Sequence, residues 1–352
     1  MKNSQQIKAV DFFCSGGGMT CGLTQGGVSV IAGIDNDPAC QKTYEANNPG
    51  SKFILADVFD LKEADLAKTL KLKRNDDSLV LIGCSPCQFW SIIRTDKTKS
   101  MKSKNLLIEF KRFVDYFNPG YVLVENVPGI LAKKDSSGLG SFVSSLEKKG
   151  YKVHFDIVNM SEYGVPQSRR RFSLLATRVH DKPIFPEKIN KRLSVQDVLG
   201  EENGFDKIKP GHRDQTLFQH SVANLTEKNV LRLKKTPKNG GSWLDWAKDP
   251  SLKRRSYAGD GFKDNYGRMV WDKPSPTITT KFFSISNGRF AHPEENRALS
   301  IREGATLQTF PKKYFFHSNS IAGAARMIGN AVPPQFAKLL GQTIIKAHKK
   351  HG

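Results

Sequence analysis

Leu79-Val80-Leu81-Ile82-Gly83-Cys84-Ser85-Pro86-Cys87-Gln88-Phe89-Trp90-Ser91 is an apolar run of strand length that stops at a glycine and turns through Ser-Pro. Just past the turn it presents a cysteine, a glutamine and two aromatics. In an open α/β sheet, ligands bind in the crevice beyond the carboxyl ends of the strands. Cys87 therefore stands where a nucleophile is useful, on a turn and not inside an element.

Working outward from this stretch, the first half of the chain alternates strand-like and helix-like segments, the pattern of a parallel sheet with covering helices. Ala9 to Phe13 reads as a strand, followed by the glycine cluster Gly16-Gly17-Gly18 and a short helix. Val28 to Ile34 is the next strand, ending on Asp35, with a helix starting at Pro38, a favoured first helical position. Phe53 to Ala56 is the third and ends at Asp57. Beyond Trp90 the periodicity stops. Ser91 to Lys104 carries Arg94, Lys97, Lys99, Lys102 and Lys104 against Asp96, which suits either a loop closing over a charged substrate or a solvated loop with no partner. A helix over 106–117 leads to the strand Tyr121 to Val124 and the turn Glu125-Asn126-Val127-Pro128-Gly129. A helix over 139–149 and the strands Tyr151 to Val158 and Phe172 to Ala176 follow, the last two pairing as an antiparallel edge. From about residue 188 the periodicity weakens and Gly, Pro, Asn and Lys accumulate; helical patterns return at 301–309 and 321–348.

The composition narrows the function. The 352 residues suffice for one sizeable α/β domain and a smaller one. Hydrophobic content is 38%, no apolar run approaches a membrane span of ~18 residues, and the start lacks an apolar signal core, so a cytoplasmic protein is expected. Five cysteines, none after Cys87, suit a reducing compartment better than a disulfide framework. With 55 Lys+Arg against 34 Asp+Glu the net charge is +21, which favours a polyanionic partner such as nucleic acid; a generally Lys-rich proteome is the plainer reading.

Several residues carry candidate chemistry. Asp35 and Asp57 end successive strands after the glycine turn, where acids receive ribose hydroxyls and an adenine amino group; each is equally a common helix-capping or strand-end residue. Cys84 and Cys87 form a Cys-x-x-Cys, open to a zinc or redox reading. A zinc site lacks its second pair, because Cys14 and Cys21 are separated by six residues and no histidine stands nearby. A redox role leaves the nucleoside pattern and the basic charge unexplained. Glu125 is delivered by an apolar strand to the same sheet edge as Cys87, where burial is expected to raise its pKa and let it donate a proton. A cysteine beside a neutral carboxylic acid suits attack on a pyrimidine. The thiolate adds to carbon 6, the acid relieves charge at ring nitrogen 3, and carbon 5 becomes nucleophilic enough to take a methyl group. The alternative for Glu125 is a structural carboxylate bonded to backbone.

In motif order from Asp11 to Pro334, the chain resembles the DNA (cytosine-5) methyltransferase family. Asp11-Phe12-Phe13-Cys14-Ser15-Gly16-Gly17-Gly18 resembles its cofactor motif, with Ser15 where glycine is more usual; Ser85-Pro86-Cys87-Gln88 resembles Pro-Pro-Cys-Gln, with Ser85 for the first proline. Glu125-Asn126-Val127 and Gln167-Ser168-Arg169-Arg170-Arg171 match Glu-Asn-Val and Gln-x-Arg-x-Arg. Arg302-Glu303-Gly304-Ala305 with Leu307-Gln308 and Phe310-Pro311, and Gly329-Asn330-Ala331-Val332-Pro333-Pro334, resemble the last two motifs.

The resemblance implies a Rossmann-like methyltransferase sheet, mostly parallel with an antiparallel edge, plus a small irregular target-recognition domain. It divides the chain into a cofactor and catalytic domain of residues 1–187 with 321–352, a recognition domain of 188–300 and a hinge over 301–320. The C-terminal helix is expected to pack back against the first strand. S-adenosylmethionine is the implied cofactor, held by Phe13, Ser15, Gly16, Gly17, Gly18, Asp35, Asp57, Val58 and Asn330. Cys87 and Glu125 are the implied catalytic pair, with Arg169 and Arg171 aimed at one pocket because alternate residues of an extended segment share a face. Gln88, Ser91, Asn126, Gln167, Arg254, Arg255, Arg268, Thr277 and Ile278 are expected at the substrate or DNA, and no metal is implied. Expected partners are double-stranded DNA and a cognate restriction endonuclease, for a monomer of bacterial or phage origin associated with the nucleoid. A tRNA cytosine methyltransferase is the nearest rival, but that branch carries a Cys-Phe-Thr in the variable region and no cysteine occurs here after Cys87. A non-catalytic DNA-binding relative is the other rival, expected to have lost Cys87 or Glu125.

Overall fold

A computed structural model describes residues 6–85, 105–132, 134, 137–252 and 264–349. The chain divides into two compact units, the first of Met1–Tyr163, Arg170–Lys188 and Val332–Gly352, the second of Gly164–Arg169 and Ile189–Ala331.

The first unit is built on a seven-stranded sheet: β1 Lys8–Phe12, β2 Ser29–Asp35, β3 Lys52–Leu55, β4 Leu79–Gly83, β5 Tyr121–Asn126, β6 Lys152–Asn159 and β8 Arg170–Thr177, in the order β3-β2-β1-β4-β5-β8-β6. β1 to β5 run parallel, and β8 lies antiparallel to both β5 and β6. Every residue of β4 and β5 is buried, because helices cover both faces of a parallel sheet, and the apolar runs Leu79–Gly83 and Tyr121–Val124 are what that setting selects. The strand order reverses between β1 and β4, the topological switch point where such sheets bind ligands.

Helices α1 Gly18–Gln25, α2 Gln41–Asn47, α3 Glu63–Leu70, α4 Leu106–Phe117 and α5 Leu139–Lys148 connect these strands. α4 shows the packing logic: Leu106, Leu107, Phe110, Phe113, Val114 and Phe117 repeat at helical spacing and all are buried. Phe110 lies so close over the end of β4 that a Cβ at Gly83 would stand 2.7 Å from its ring, so the strand ends in glycine because the helix needs the space.

Most strands fall where the sequence places them, and α3 is an addition to that reading. The C-terminal segment differs. The helical pattern over 321–348 is two helices in the structure, α8 Ile321–Asn330 and α9 Pro334–Lys349, because proline breaks a helix but starts one well. α9 packs along α1, the helix after β1.

The second unit has few regular elements: α6 Glu227–Lys235, α7 Ile301–Leu307, α8, and a two-stranded parallel pair of β7 Gln167–Ser168 with β9 Ser275–Pro276. Residues 164–169 and 321–331, placed with the cofactor domain on sequence grounds, lie in this unit, as do the expected hinge residues 301–320. The physical reason is a set of hydrogen bonds: Gln308 Nε2 donates to Ile328 O at 2.7 Å, and Gln167 Nε2 donates to Gln308 Oε1 at 2.9 Å. Both α6 and α7 are properly started, α7 by a capping box in which Ser300 and Glu303 satisfy each other's backbone N–H. Among the described residues no helix is long and apolar enough to cross a membrane.

Candidate functional site

Parallel strands bring their carboxyl ends to one edge of the sheet, so β1, β2, β4 and β5 deliver their following residues together. β8 runs the other way and therefore starts at that same edge, with Phe172 opposite Asn126. Register alone thus places Arg171 beside the end of β5. Its Nε stands 3.4 Å from Glu125 Oε1, and both side chains are largely buried.

The turn after β1 is unusual in its backbone. Phe13, Ser15 and Gly17 all have positive φ, at 63°, 46° and 85°, an alternation that coils the chain tightly around its own N–H groups before α1 begins. Asp35 at the end of β2 holds this turn: its Oδ2 accepts from Ser15 N at 2.8 Å and its Oδ1 from Asp37 N at 2.9 Å. Burial pushes the Asp35 carboxyl up from its ordinary value against these two bonds. Gly16 and Gly18 are buried in the same turn. Past β3, Asp57 accepts from Phe59 N at 3.1 Å, and Arg112 on α4 holds the carbonyls of Val58 and Leu61.

At the end of β4, Ser85 Oγ accepts from Asn126 Nδ2 at 3.3 Å, and Asn126 Oδ1 accepts from Val127 N at 2.9 Å. Asn126 thus ties the turn after β5 to the residue two before Cys87. Cys87 itself, with Gln88, Ser91, the basic stretch to Lys104, Arg254 and Arg255, lies outside the described residues. Among the described residues no three His, Cys, Asp or Glu side chains gather as metal ligands.

Several site expectations are corrected. Arg268, expected at DNA, is buried at 1% exposure. It donates to the carbonyls of Thr236, His292, Glu295 and Leu233 and to Asn296 Oδ1. Burial lowers its pKa, and its fork has no face left for a base or phosphate. Ile278 is fully buried. Its N–H donates to Gln167 Oε1 at 2.8 Å and its carbonyl accepts from Arg169 at 3.0 Å. Gln167 also spends its amide donors inside the protein, on Leu307 O and Gln308 Oε1. Arg169 was expected to aim with Arg171 at one pocket; its guanidinium instead gathers the carbonyls of Ile278, Gly329 and Ala331. These side chains shape the second unit from within. Thr277 is partly exposed, its hydroxyl donating to Ser168 O at 2.9 Å, and Asn330 is exposed at the end of α8.

Sequence reasoning passed over a buried group at the edge. Asp11 is fully buried on β1, its Oδ2 accepts from Thr20 Oγ1 at 2.8 Å, and its Oδ1 has no hydrogen-bond partner among the described residues. Burial raises its pKa to about 7. The signal was present: an acid inside an apolar strand, two residues before the glycine-rich turn begins its positive-φ alternation.

Sheet order, switch point and the strand-end acids define a Rossmann-like α/β methyltransferase sheet. Over residues 7–346 the sequence matches the C-5 cytosine-specific DNA methylase family. The chain is 36% identical over 341 residues to the Type II methylase M.HgiDII of Herpetosiphon aurantiacus, covering 95% of this chain and 94% of that one. It is 29% identical to the Type II methyltransferase M1.HphI of Haemophilus parahaemolyticus, covering 96% and 86%. A prophage-encoded protein of E. coli described as a DNA modification methyltransferase superposes with a TM-score of 0.73 over 97% of this chain and 99% of that one. At 20% identity that likeness carries the fold alone. The chain belongs to the C-5 cytosine-specific DNA methylase family, and is a DNA (cytosine-5-)-methyltransferase.

Proposed function

We propose that the chain moves the methyl group of S-adenosylmethionine to carbon 5 of a cytosine flipped out of duplex DNA, through a covalent bond from Cys87 to carbon 6. The observation that supports this best is the Glu125–Arg171 pair at the strand edge, with Asn126 bonded to Ser85 in the turn that leads to Cys87. Extrusion is required because the ring face that a thiolate attacks is stacked inside the helix.

The residues present fit the cofactor. A backbone that coils through three positive φ angles offers its N–H groups to a ligand, Asp35 ends β2 where ribose hydroxyls are received, and Asp11 keeps one buried oxygen uncommitted among the described residues, where a cation would satisfy it. When bound, the group supplies an electrophilic methyl on a sulfonium. Phe13, Ser15, Gly16, Gly17, Gly18, Asp57, Val58 and Asn330 complete the proposed cofactor set.

The chain's own residues do the rest. The Cys87 thiolate forms a bond to carbon 6, and the ring electrons move toward nitrogen 3 and the carbonyl oxygen. Glu125 donates to nitrogen 3, and Arg171 holds Glu125 in place. After carbon 5 is methylated, water removes its proton, the carbon 5–carbon 6 double bond re-forms and the Cys87 sulfur leaves. Gln88, Ser91, Arg254, Arg255 and Thr277 are the proposed DNA-facing residues, the second unit reads the target sequence, and the chain acts as a cytoplasmic monomer. The Type II names of the relatives support a partner endonuclease of matching specificity.

Cys87→Ala is expected to abolish methylation while cofactor binding, followed by calorimetry, stays within about twofold of the unaltered protein. A duplex with 5-fluorocytosine at the target should trap a covalent adduct, since no proton can leave carbon 5. Methyl transfer with no adduct on a denaturing gel would remove the cysteine from the mechanism. Parallel labelling of DNA and tRNA separates the DNA enzyme from its RNA-directed rival.

A further inference from the structure

We propose that Thr20, Tyr44 and Ser51 are positioning residues, a buried hydrogen-bond chain that commits one oxygen of Asp11 and keeps the other for the cationic end of the cofactor. This rests on the cofactor reading above. Thr20 Oγ1 lies 2.8 Å from Asp11 Oδ2 and 3.1 Å from Tyr44 OH, and Tyr44 OH lies 2.6 Å from Ser51 Oγ. The relay joins β1, α1, α2 and the loop before β3.

Proton counting fixes its direction. A hydroxyl has one hydrogen to give. Thr20 gives its hydrogen to the carboxylate, so it must accept from Tyr44, and Tyr44 must accept from Ser51. All three dipoles therefore point toward Asp11 and strengthen one another. The tyrosine cannot turn aside, because its ring lies under Gly33 of β2, where a Cβ would stand 2.4 Å from a ring atom. Phe53 packs on it at a centroid distance of 5.5 Å.

A polar network kept only for stability would leave no buried oxygen unbonded, since a carboxyl half satisfied costs more than an apolar replacement. Asp11 Oδ1 is such an oxygen among the described residues. The relay instead opposes the groups that disfavour the charge. Burial and the neighbouring Asp35 on β2 push the Asp11 carboxyl up, while the Thr20 hydroxyl pulls it down. The other ionisable neighbours, Cys14 in the turn, Cys40 beside it and Tyr44 itself, contribute no positive charge, and burial keeps Cys14 and Tyr44 protonated. Asp11 titrates near 7, so an ionised, cation-binding form rises across the neutral range as the pH increases.

The test is calorimetric titration of the full chain with S-adenosylmethionine between pH 5.5 and 7.5, with adenosine as the ligand lacking the cationic end. The unaltered protein should bind S-adenosylmethionine more tightly as pH rises, and adenosine with no pH trend. Thr20→Val and Tyr44→Phe should move the pH midpoint upward and, for a midpoint raised by about one unit, weaken S-adenosylmethionine about fivefold at pH 7. Thr20→Ser should restore the profile, and none should alter adenosine binding. Profiles that superimpose in all variants, or a loss equal for both ligands and all pH values, would overturn the relay while leaving the cofactor reading intact. Absence of S-adenosylmethionine binding by the unaltered protein would overturn both.

Discussion

Strand β4 buries five residues that carry no side-chain donor or acceptor. Arg268, equally buried, carries a guanidinium that donates to five acceptors, four of them main-chain carbonyls. The two settings solve one problem differently. In the first unit, ladders and helices already pair the backbone, so side chains are free to be hydrocarbon. The second unit has few ladders, and its irregular backbone leaves carbonyls that something must satisfy. Arg169, Arg268, Arg297 and Arg302 are among the largest fully buried side chains described, and each lies in the second unit. Arg302 gathers the carbonyls of Phe218, Pro311 and Tyr314, and Arg297 forks onto both Glu295 and Glu303. Arginine supplies five donors in a rigid plane, which suits a hub for scattered acceptors.

The largest effect that could break this comparison is at Arg268. Arg268→Met keeps much of the volume but strands its carbonyl partners, and should destabilise the second unit by roughly 3–5 kcal/mol. Urea unfolding followed by the fluorescence of Trp246, a buried tryptophan of that unit, measures it. A variant of unaltered stability with weakened DNA binding would make Arg268 a DNA contact and undo the distinction between the units.

That correction shows what the sequence could carry. In the first unit, runs such as Leu79–Gly83 and Tyr121–Val124 identify themselves because burial on two faces leaves a continuous apolar signature, and strand-end residues inherit their place from the parallel register. Glu125 and Asp35 were found in that way. Arg268 and Gln167 were misread because a polar side chain in a segment without periodicity looks the same whether it faces solvent or a set of buried carbonyls. The family motifs located Arg302 and Glu303 without revealing their work. Glu303 caps α7 and binds Arg297, and both are structural. Asp11 stands in the first motif, but its role is not legible there, since its partner Thr20, and Tyr44 beyond it, lie on two other elements.

A second effect, of up to about 4 kcal/mol, sharpens the comparison through pH. The Asp11 carboxyl is raised by burial, so on folding it holds a proton that the unfolded chain releases above its ordinary value of 3.8. Its contribution to the first unit is full below that value and is lost as pH rises toward about 7. Glu303 is the reverse. Despite burial, the Arg297 guanidinium holds it well below its ordinary 4.5, so its contribution is present above that value and is lost as pH falls. Acid should therefore strengthen the first unit at Asp11 and weaken the second at Glu303. Asp11→Asn should flatten the cofactor-free first unit's stability between pH 4 and 7, while Glu303→Gln should lower the second unit's stability at pH 7 and reduce its loss toward pH 3. Parallel pH profiles for the two units, read by hydrogen exchange, would contradict this opposition.

The smallest effect lies in the turn after β1. Ser15 sits at φ 46°, a left-handed conformation that costs an L-residue roughly 1–2 kcal/mol and glycine almost nothing. Against this, glycine adds entropy to the unfolded chain, and the weak contact of Ser15 Oγ with Cys40 Sγ at 3.8 Å would be lost. The balance should leave Ser15→Gly more stable by about 0.5–1 kcal/mol. The Ser15 N–H would still donate to Asp35, because that bond belongs to the backbone. Cofactor affinity should then hold steady or improve. A loss of stability would mean that the serine hydroxyl does more than fill space, and that side-chain hydrogen bonding reaches further into the first unit's edge than its apolar strands suggest.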